Sequence, residues 1–416
     1  MPPRLRLLLI YIYLFVIIYT PALGESIIFD KYIVLYILLA IVILPYVLRR
    51  RLSNLTVLRN KNVIIFMLFI LLASIYLMIV QVFSGVEIKN LSDTRIIQNN
   101  LINVLIVHVA VVVDQFKKLQ YTKYDTLSIL AKLATLQGIY AFLSLVFVPL
   151  KNISNTLYSL AGGSNSFVFD SRIFGISSDF TFGTPIYHGI LAAILLYVAF
   201  YSKKTKYLMY IPFVLVTTAL NNRTGIVVFF VLSLFFLMYI AIKRNKITQI
   251  FMTIVIMAVM AVAFFNSLKT LSPNTYNFLN SFIEDTQNLV QGRPTGNYEV
   301  LMNEIDSFKK SNLNIFFGKG YRVYDEAGKT RAGFRSDMGY INDVFYGGIV
   351  YMLILYISFI YFVLYREKKY KYAAVLLLFI VFIVNIKGEI FRSSIVLFLF
   401  IYLKLVLQSR LETERA

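Results

Sequence analysis

Residues 62–83 read NVIIFMLFILLASIYLMIVQVF, a stretch without a single Asp, Glu, Lys or Arg. At ~1.5 Å rise per residue, a helix of that length covers the ~30 Å hydrocarbon core of a bilayer. Runs of the same kind recur along the whole chain. They read as helices at 5–20, 32–48, 62–83, 96–113, 126–149, 184–201, 207–220, 225–242, 248–266, 341–364, 373–386 and 393–408. Barrel strands would alternate apolar and polar residues, and these runs do not. Irregular backbone would leave its polar groups unpaired in lipid. The expectation is an all-α, polytopic membrane protein with about 12 transmembrane helices.

Composition points the same way. Of 416 residues, 59% are hydrophobic and 15% charged, and the mean hydropathy is +0.73. A soluble protein of this size could not hide so much apolar side chain. The net charge is +20, from 41 basic and 21 acidic residues. In a soluble chain that would suggest nucleic acid. Here the basic residues cluster in short loops between apolar runs, so they report topology and no nucleic-acid partner is expected. Cysteine is absent, which removes disulfides and thiol chemistry. Tryptophan is absent too, leaving the 30 tyrosines to supply any aromatic belt at the membrane interface.

The loops alternate in charge. Arg49-Arg50-Arg51 with Arg59 and Lys61, Lys117-Lys118, and Lys203-Lys204 with Lys206 fall on one side. Lys243-Arg244 with Lys246, and Arg366 with Lys368, Lys369 and Lys371, join them. The positive-inside rule makes that side cytoplasmic. Both termini (Arg4 and Arg6, Arg410 and Arg415) fall there as well. The first run, followed by Ala22-Leu23-Gly24, has the outline of a signal peptide but is read as a retained helix. The outer side then holds 21–31, 84–95, 150–183, 221–224, 267–340 and 387–392. Helices at 207–220 and 373–386 are short for a full crossing. Lys387, Glu389 and Arg392 keep the last two helices separate. No internal repeat of the transporter kind is visible.

The chain therefore divides into 1–266 (helices one to nine with the outer loop 150–183), the large outer loop 267–340, and 341–416 (helices ten to twelve). The large loop carries Lys269, Arg293, Lys309, Lys310, Lys319, Arg322, Lys329, Arg331 and Arg335. A cationic loop on the outer side runs against the positive-inside rule, and an anionic substrate held at the outer surface accounts for it. Ser272-Pro273 resembles a helix start. Tyr276, Leu279, Phe282, Ile283, Leu289 and Val290 then form a helical apolar stripe. The pattern breaks at Gly292–Asn297 and resumes with Tyr298, Leu301, Ile305 and Phe308, ending near Lys309-Lys310. Two amphipathic helices of this kind lie on a bilayer or close over a cavity.

Three arginines sit at outer helix mouths: Arg172 before helix six, Arg223 in the tight turn Asn221–Gly225, and Arg293 before a helix start. Guanidinium groups hold phosphate oxygens bidentately, and a helix N-terminus adds N–H donors, which makes Gly292–Asn297 a candidate pyrophosphate cradle. The plainer alternative is an arginine that snorkels to lipid headgroups. Transfer of a group to a hydroxyl needs a proton acceptor. Asp337, where the large loop re-enters the membrane beside Arg335 and Tyr340, is the choice among the outer acids, which include Glu304 and Asp343. The plainer alternative there is a helix-cap aspartate. His108, beside Asn99, Asn100 and Asn103, reads as a hydrogen-bonding partner for another helix. With His188 it makes no zinc site. No Gly-rich phosphate motif calls for a nucleotide, and no cofactor is expected.

The order of these features resembles the Wzy-type O-antigen and capsular polysaccharide polymerases, relatives of the O-antigen ligases. The matching stretches are Ser171-Arg172-Ile173-Phe174-Gly175, Asn222-Arg223-Thr224-Gly225, Gly292-Arg293, Phe317-Gly318-Lys319-Gly320, and Ser336-Asp337-Met338-Gly339-Tyr340 running into Phe345-Tyr346-Gly347-Gly348. The Arg-to-Gly spacing associated with both large loops of such polymerases is met weakly by Arg172 with Gly183 and Arg322 with Gly333. The resemblance implies a GT-C-like fold in the bacterial inner membrane. It implies transfer of a growing glycan from undecaprenyl pyrophosphate to the non-reducing end of an incoming lipid-linked repeat unit at the periplasmic face. Asp337, Arg223 and Arg293 would be catalytic; Arg172, Arg322, Arg335 and Tyr340 would bind substrate. Membrane lipids and a chain-length regulator protein would be partners. Ligases use a histidine where the large loop returns to the membrane, and 267–340 holds none. A ligase remains the nearest alternative. A lipid-linked oligosaccharide flippase, from another class, would place charges inside the helices along a path, where this chain has few beyond Lys132.

Overall fold

The computed structural model describes residues 2–21, 31–85, 95–160, 172–173, 175–177, 179, 182–244, 247–293, 295–310, 314–320, 336–368, 370–392, 394–409 and 411. Every regular element among them is helical. The first six α-helices are α1 (Pro3–Tyr19), α2 (Lys31–Leu48), α3 (Lys61–Phe83), α4 (Arg95–Lys118), α5 (Lys123–Val146) and α6 (Val148–Leu160). Then come α7 (Gly183–Tyr201), α8 (Ile211–Asn221), α9 (Arg223–Arg244), α10 (Ile247–Leu271), α11 (Pro273–Val290) and α12 (Asn297–Lys310). The last three are α13 (Gly339–Leu364), α14 (Lys371–Val384) and α15 (Ser394–Gln408).

Each of the twelve expected segments is helical, within a few residues at either end. Among the described residues, six helices are long and apolar enough to cross a membrane: Lys61–Phe83, Asn99–Lys118, Lys123–Val146, Gly183–Tyr201, Thr224–Lys243 and Gly339–Leu364. Ile33–Leu48, Lys371–Val384 and Ile395–Gln408 are apolar but shorter. On α3 the exposed residues Leu68, Leu72, Ile75 and Ile79 form a stripe at helical spacing. An apolar stripe of that kind is unfavourable against water and favourable against lipid. The chain is a membrane-embedded helical protein.

It divides into two compact units: Met1–Ile18, Ser26–Thr126 and Thr295–Ala416 form unit 1, and Tyr19–Glu25 with Leu127–Pro294 forms unit 2. In unit 1, α3 packs on α4 and α13. Phe66 stacks on Phe362 at 4.5 Å between ring centroids. Polar side chains tie the same helices: Asn99 Nδ2 donates to Ser74 Oγ at 2.9 Å, and Tyr351 Oη donates to Asn99 Oδ1 at 2.9 Å. His108 lies between Leu35 O, 3.0 Å from its Nε2, and the Tyr13 hydroxyl. This is the helix-to-helix role its polar stripe suggests. In unit 2, α7, α8 and α9 pack together. A Cβ on Gly189 would stand 2.2 Å from Gly225 O. Only glycine lets those two backbones touch. His188 is held by Val214 O and the Tyr19 hydroxyl, each at 3.0 Å.

Two features depart from expectation. The charge pattern makes 150–183 an outer loop, yet α6 runs from Val148 to Leu160. Pro149 occupies its first turn, where a missing N–H costs nothing, and Leu150, Ile153 and Leu157 recur at helical spacing. The run 341–364 was read as one continuous helix, yet α13 is broken at Gly348, with φ +69° and ψ −175°. Residues 314–320 take up the backbone groups freed at the break. Ile349 N donates to Ile315 O at 2.9 Å, Lys319 N to Phe345 O at 2.8 Å and Gly320 N to Tyr346 O at 2.9 Å. A Cβ on Gly348 would lie 2.0 Å from Phe316 O, so both the conformation and the space demand glycine there.

Candidate functional site

Two of the proposed arginine segments meet in unit 2. Asn221, fully buried at the end of α8, donates through Nδ2 to Ile173 O at 2.8 Å and to Thr217 O at 2.9 Å. That bond ties the stretch beginning at Arg172 to the turn that opens α9. Asn222 caps α9, its Oδ1 accepting from Thr224 N at 2.7 Å. Arg223 is therefore the first residue of α9, at the positive end of the helix dipole. Its side chain lies outside the described residues. Arg172 is half-buried. Gln137 of α5 accepts from Ile176 N at 3.3 Å, and a Cβ on Gly175 would stand 1.8 Å from its Nε2. Beneath lies an apolar cluster of Ala141, Ile173, Leu220 and Leu268, with Ile226, Phe265 and Tyr276 packed against it.

Tyr276 brings the start of α11 to this cluster. Arg293 lies beyond the other end of α11, whose last residue, Val290, is about 20 Å along the helix axis from Tyr276 at ~1.5 Å per residue. It is exposed. Its N–H donates to Asn288 O at 2.9 Å across Gly292, whose φ is +73°. This is a glycine-terminated helix end. Arg293 thus follows a helix C-terminus, the negative end of a dipole, and α12 starts four residues later at Asn297. The structure groups Arg172 with the Arg223 turn and does not bring Arg293 to them.

No protein-family model, curated protein or solved structure matches the chain.

The second centre is the membrane re-entry in unit 1. Met338, Ile341 and Phe345 pack against Leu301, Ile305 and Phe308 of α12. Glu304 lies on that same face and is 4% exposed. Its Oε2 accepts from Asp337 N at 2.9 Å and Ser336 Oγ at 3.1 Å. Ser336 Oγ accepts from Met338 N at 3.1 Å, and Asn342 Nδ2 donates to Ser336 O at 3.1 Å. Burial pushes the Glu304 carboxyl up from its ordinary value; the Asp337, Ser336 and Met338 donors work against that shift, and the Asp337 charge adds to it. Asp337 is exposed. The N-cap of α13 is Met338, without a side-chain cap bond. Tyr340 Oη donates to Phe382 O at 2.6 Å, which turns its hydroxyl toward α14. Arg322 and Arg335 lie outside the described residues.

Glu304 and Asp343 are two outer acids that the sequence does not single out. The signal for Glu304 was its spacing: three residues after Leu301 and four before Phe308, it sits on the apolar stripe, where a carboxylate is out of place. Asp343 is 2% exposed inside α13 and accepts from the Tyr356 hydroxyl. Asn385 Nδ2 in turn donates to Tyr356 Oη at 2.8 Å. Among the described residues, no three His, Cys, Asp or Glu side chains converge as metal ligands would.

Proposed function

We propose that the chain is a membrane glycosyltransferase that polymerises polysaccharide repeat units at the outer face of the bacterial inner membrane. The donor is a growing glycan on undecaprenyl pyrophosphate, and the acceptor is the non-reducing end of an incoming lipid-linked repeat unit. The anomeric C–O bond to pyrophosphate breaks, a C–O bond to the acceptor hydroxyl forms, and the hydroxyl proton passes to Asp337. Undecaprenyl pyrophosphate leaves. Arg172 and Arg223 hold its phosphates and offset the charge that builds on them as the bond breaks. In this reading Arg293, Arg322 and Arg335 also bind the anionic substrate. Both termini are cytoplasmic in this reading, and a chain-length regulator is a partner.

The observation that carries the proposal is the Asn221–Ile173 bond. It sets the Arg172 stretch beside a capped helix N-terminus that begins with Arg223. A helix start with an arginine on it, next to a second arginine segment, is a site chemically suited to a pyrophosphate. The orientation is supported by the alternation of basic loops.

Deletion of the gene tests the reading directly. Single repeat units attached to the lipid core are expected in the deletion strain. Core without any repeat unit, together with long lipid-linked glycan, would identify a ligase instead. Reporter fusions at Lys204 and Lys369 should read cytoplasmic and one near Asn288 periplasmic; the reverse at Asn288 removes the proposed site from the substrate's side.

A further inference from the structure

The apolar face of α12 closes over the start of α13 through Leu301, Ile305 and Phe308. An apolar residue at 304 would complete that packing, and a carboxylate buried to 4% exposure carries a desolvation cost. Its bonds show what it holds. Asp337 N and Ser336 Oγ both donate to Glu304 Oε2, and Ser336 Oγ accepts from Met338 N. Asn342 fixes the carbonyl of Ser336. The backbone on both sides of Asp337 is pinned while the Asp337 side chain itself is exposed. Among the described residues, the other Glu304 oxygen, Oε1, and Asn342 Oδ1 have no hydrogen-bond partner.

We propose that Glu304 is the positioning residue for Asp337, fixing the re-entry backbone so that the Asp337 carboxylate meets the acceptor hydroxyl. This rests on the reading of Asp337 as proton acceptor given above. Glu304 acts through its Oε2 on the N–H of Asp337 and on Ser336, and does not touch the reacting atoms.

The test uses the full-length protein in proteoliposomes with a lipid-linked repeat unit. Glu304→Ala should lower kcat about 100-fold, the scale of a misplacement near 1 Å, and leave KM within about 3-fold. Glu304→Gln should recover most of that loss, because an amide oxygen accepts the same two bonds. Glu304→Ala combined with Asp337→Ala should be no slower than Asp337→Ala alone, since the first acts through the second. Amide exchange at Asp337 and Met338 gives a readout independent of activity, and protection there should fall in Glu304→Ala. If that variant does not accumulate, Glu304→Asp, which keeps the charge and shortens the reach, should show the same kcat loss. Wild-type kcat in the alanine or aspartate variant, or losses that multiply in the double variant, would overturn the positioning role. A wild-type protein that makes no polymer, yet loses protection at 337–338 when Glu304 is removed, would overturn the polymerase reading and leave the backbone contact standing.

Discussion

Unit 1 and unit 2 solve one problem with different chemistry. In each, an irregular stretch must be fixed at the end of a helix. Around Ile173 the fixing groups are neutral amides, Asn221 and Gln137, at 0% and 1% exposure. Around Ser336 the fixing group is a carboxylate, Glu304. An amide is cheaper to bury, and it holds its bonds at any pH. A carboxylate is the stronger acceptor for backbone N–H groups, and it titrates. The first centre is thus indifferent to pH and the second is not, so the two should respond differently to substitution and to pH.

The largest expected effect lies in unit 2. Arg223→Ala should abolish measurable polymerisation at normal protein level. Losing a charge-assisted pair to a phosphate in a partly dry site costs about 2–5 kcal/mol, roughly 30-fold to several-thousand-fold in rate. Lysine should rescue in part, keeping the charge without the two-pronged geometry. Full activity in Arg223→Ala would leave the Asn221–Ile173 bond as plain scaffolding, with Arg223 serving lipid headgroups.

Asn221→Ala comes next. It leaves Ile173 O without the donor it has, in a fully buried place, and should cost about 1–3 kcal/mol. Thermal unfolding in detergent should show the loss, and the size of that loss should not change with pH. A loss that varied between acid and neutral pH would mean that a charged group shares the bond, and the contrast between the two units would fail.

How far the sequence reveals this contrast depends on range. The apolar run at 62–83 declares its helix because length and composition are local properties. The two helices of the large loop are equally visible, since Tyr276 to Val290 and Tyr298 to Phe308 each carry their own period. Glu304 was visible in the same way, as a charge on an apolar stripe, but nothing local says which backbone it holds. Asn221 and Ile173 are 48 residues apart, and no period or motif joins them. The break at Gly348 was masked by the hydrophobicity around it; what marks it is the pair Gly347-Gly348 together with a partner strip at 314–320, which only the fold brings alongside.

The pH response sharpens the comparison from the other side. Glu304 is raised by burial, so the fold favours its protonated form. An acid whose folded value lies above its unfolded one contributes stability that is complete below the ordinary glutamate range. That contribution is lost as pH rises through the raised value. Protection of Asp337 and Met338 amides, corrected for intrinsic exchange, should therefore decline over that window, and the Asp337 charge on the same stretch adds to the decline. Protection of the Ile176 amide, held by Gln137, should stay level. Glu304→Gln should flatten the first curve to match the second. A level curve in the wild type would show that Glu304 gains enough from the Asp337 and Ser336 donors to cancel its burial.

The smallest effect on stability belongs to Arg293, and its smallness is informative. The residue is exposed, and what closes α11 is its backbone N–H on Asn288 O across Gly292, not its guanidinium. Alanine keeps that N–H, so Arg293→Ala should shift unfolding by no more than about 0.5 kcal/mol, the range of an ordinary surface change. Replacing Gly292 instead should cost more, because its φ of +73° suits glycine. With the fold unchanged, any fall in polymerisation in Arg293→Ala reports substrate contact alone. The expected result is a loss of activity smaller than that of Arg223→Ala, since an exposed guanidinium is screened by solvent and salt. Such a loss should shrink as salt is raised. Equal losses in the two variants would mean that Arg293 reaches the reacting phosphate as closely as Arg223 does.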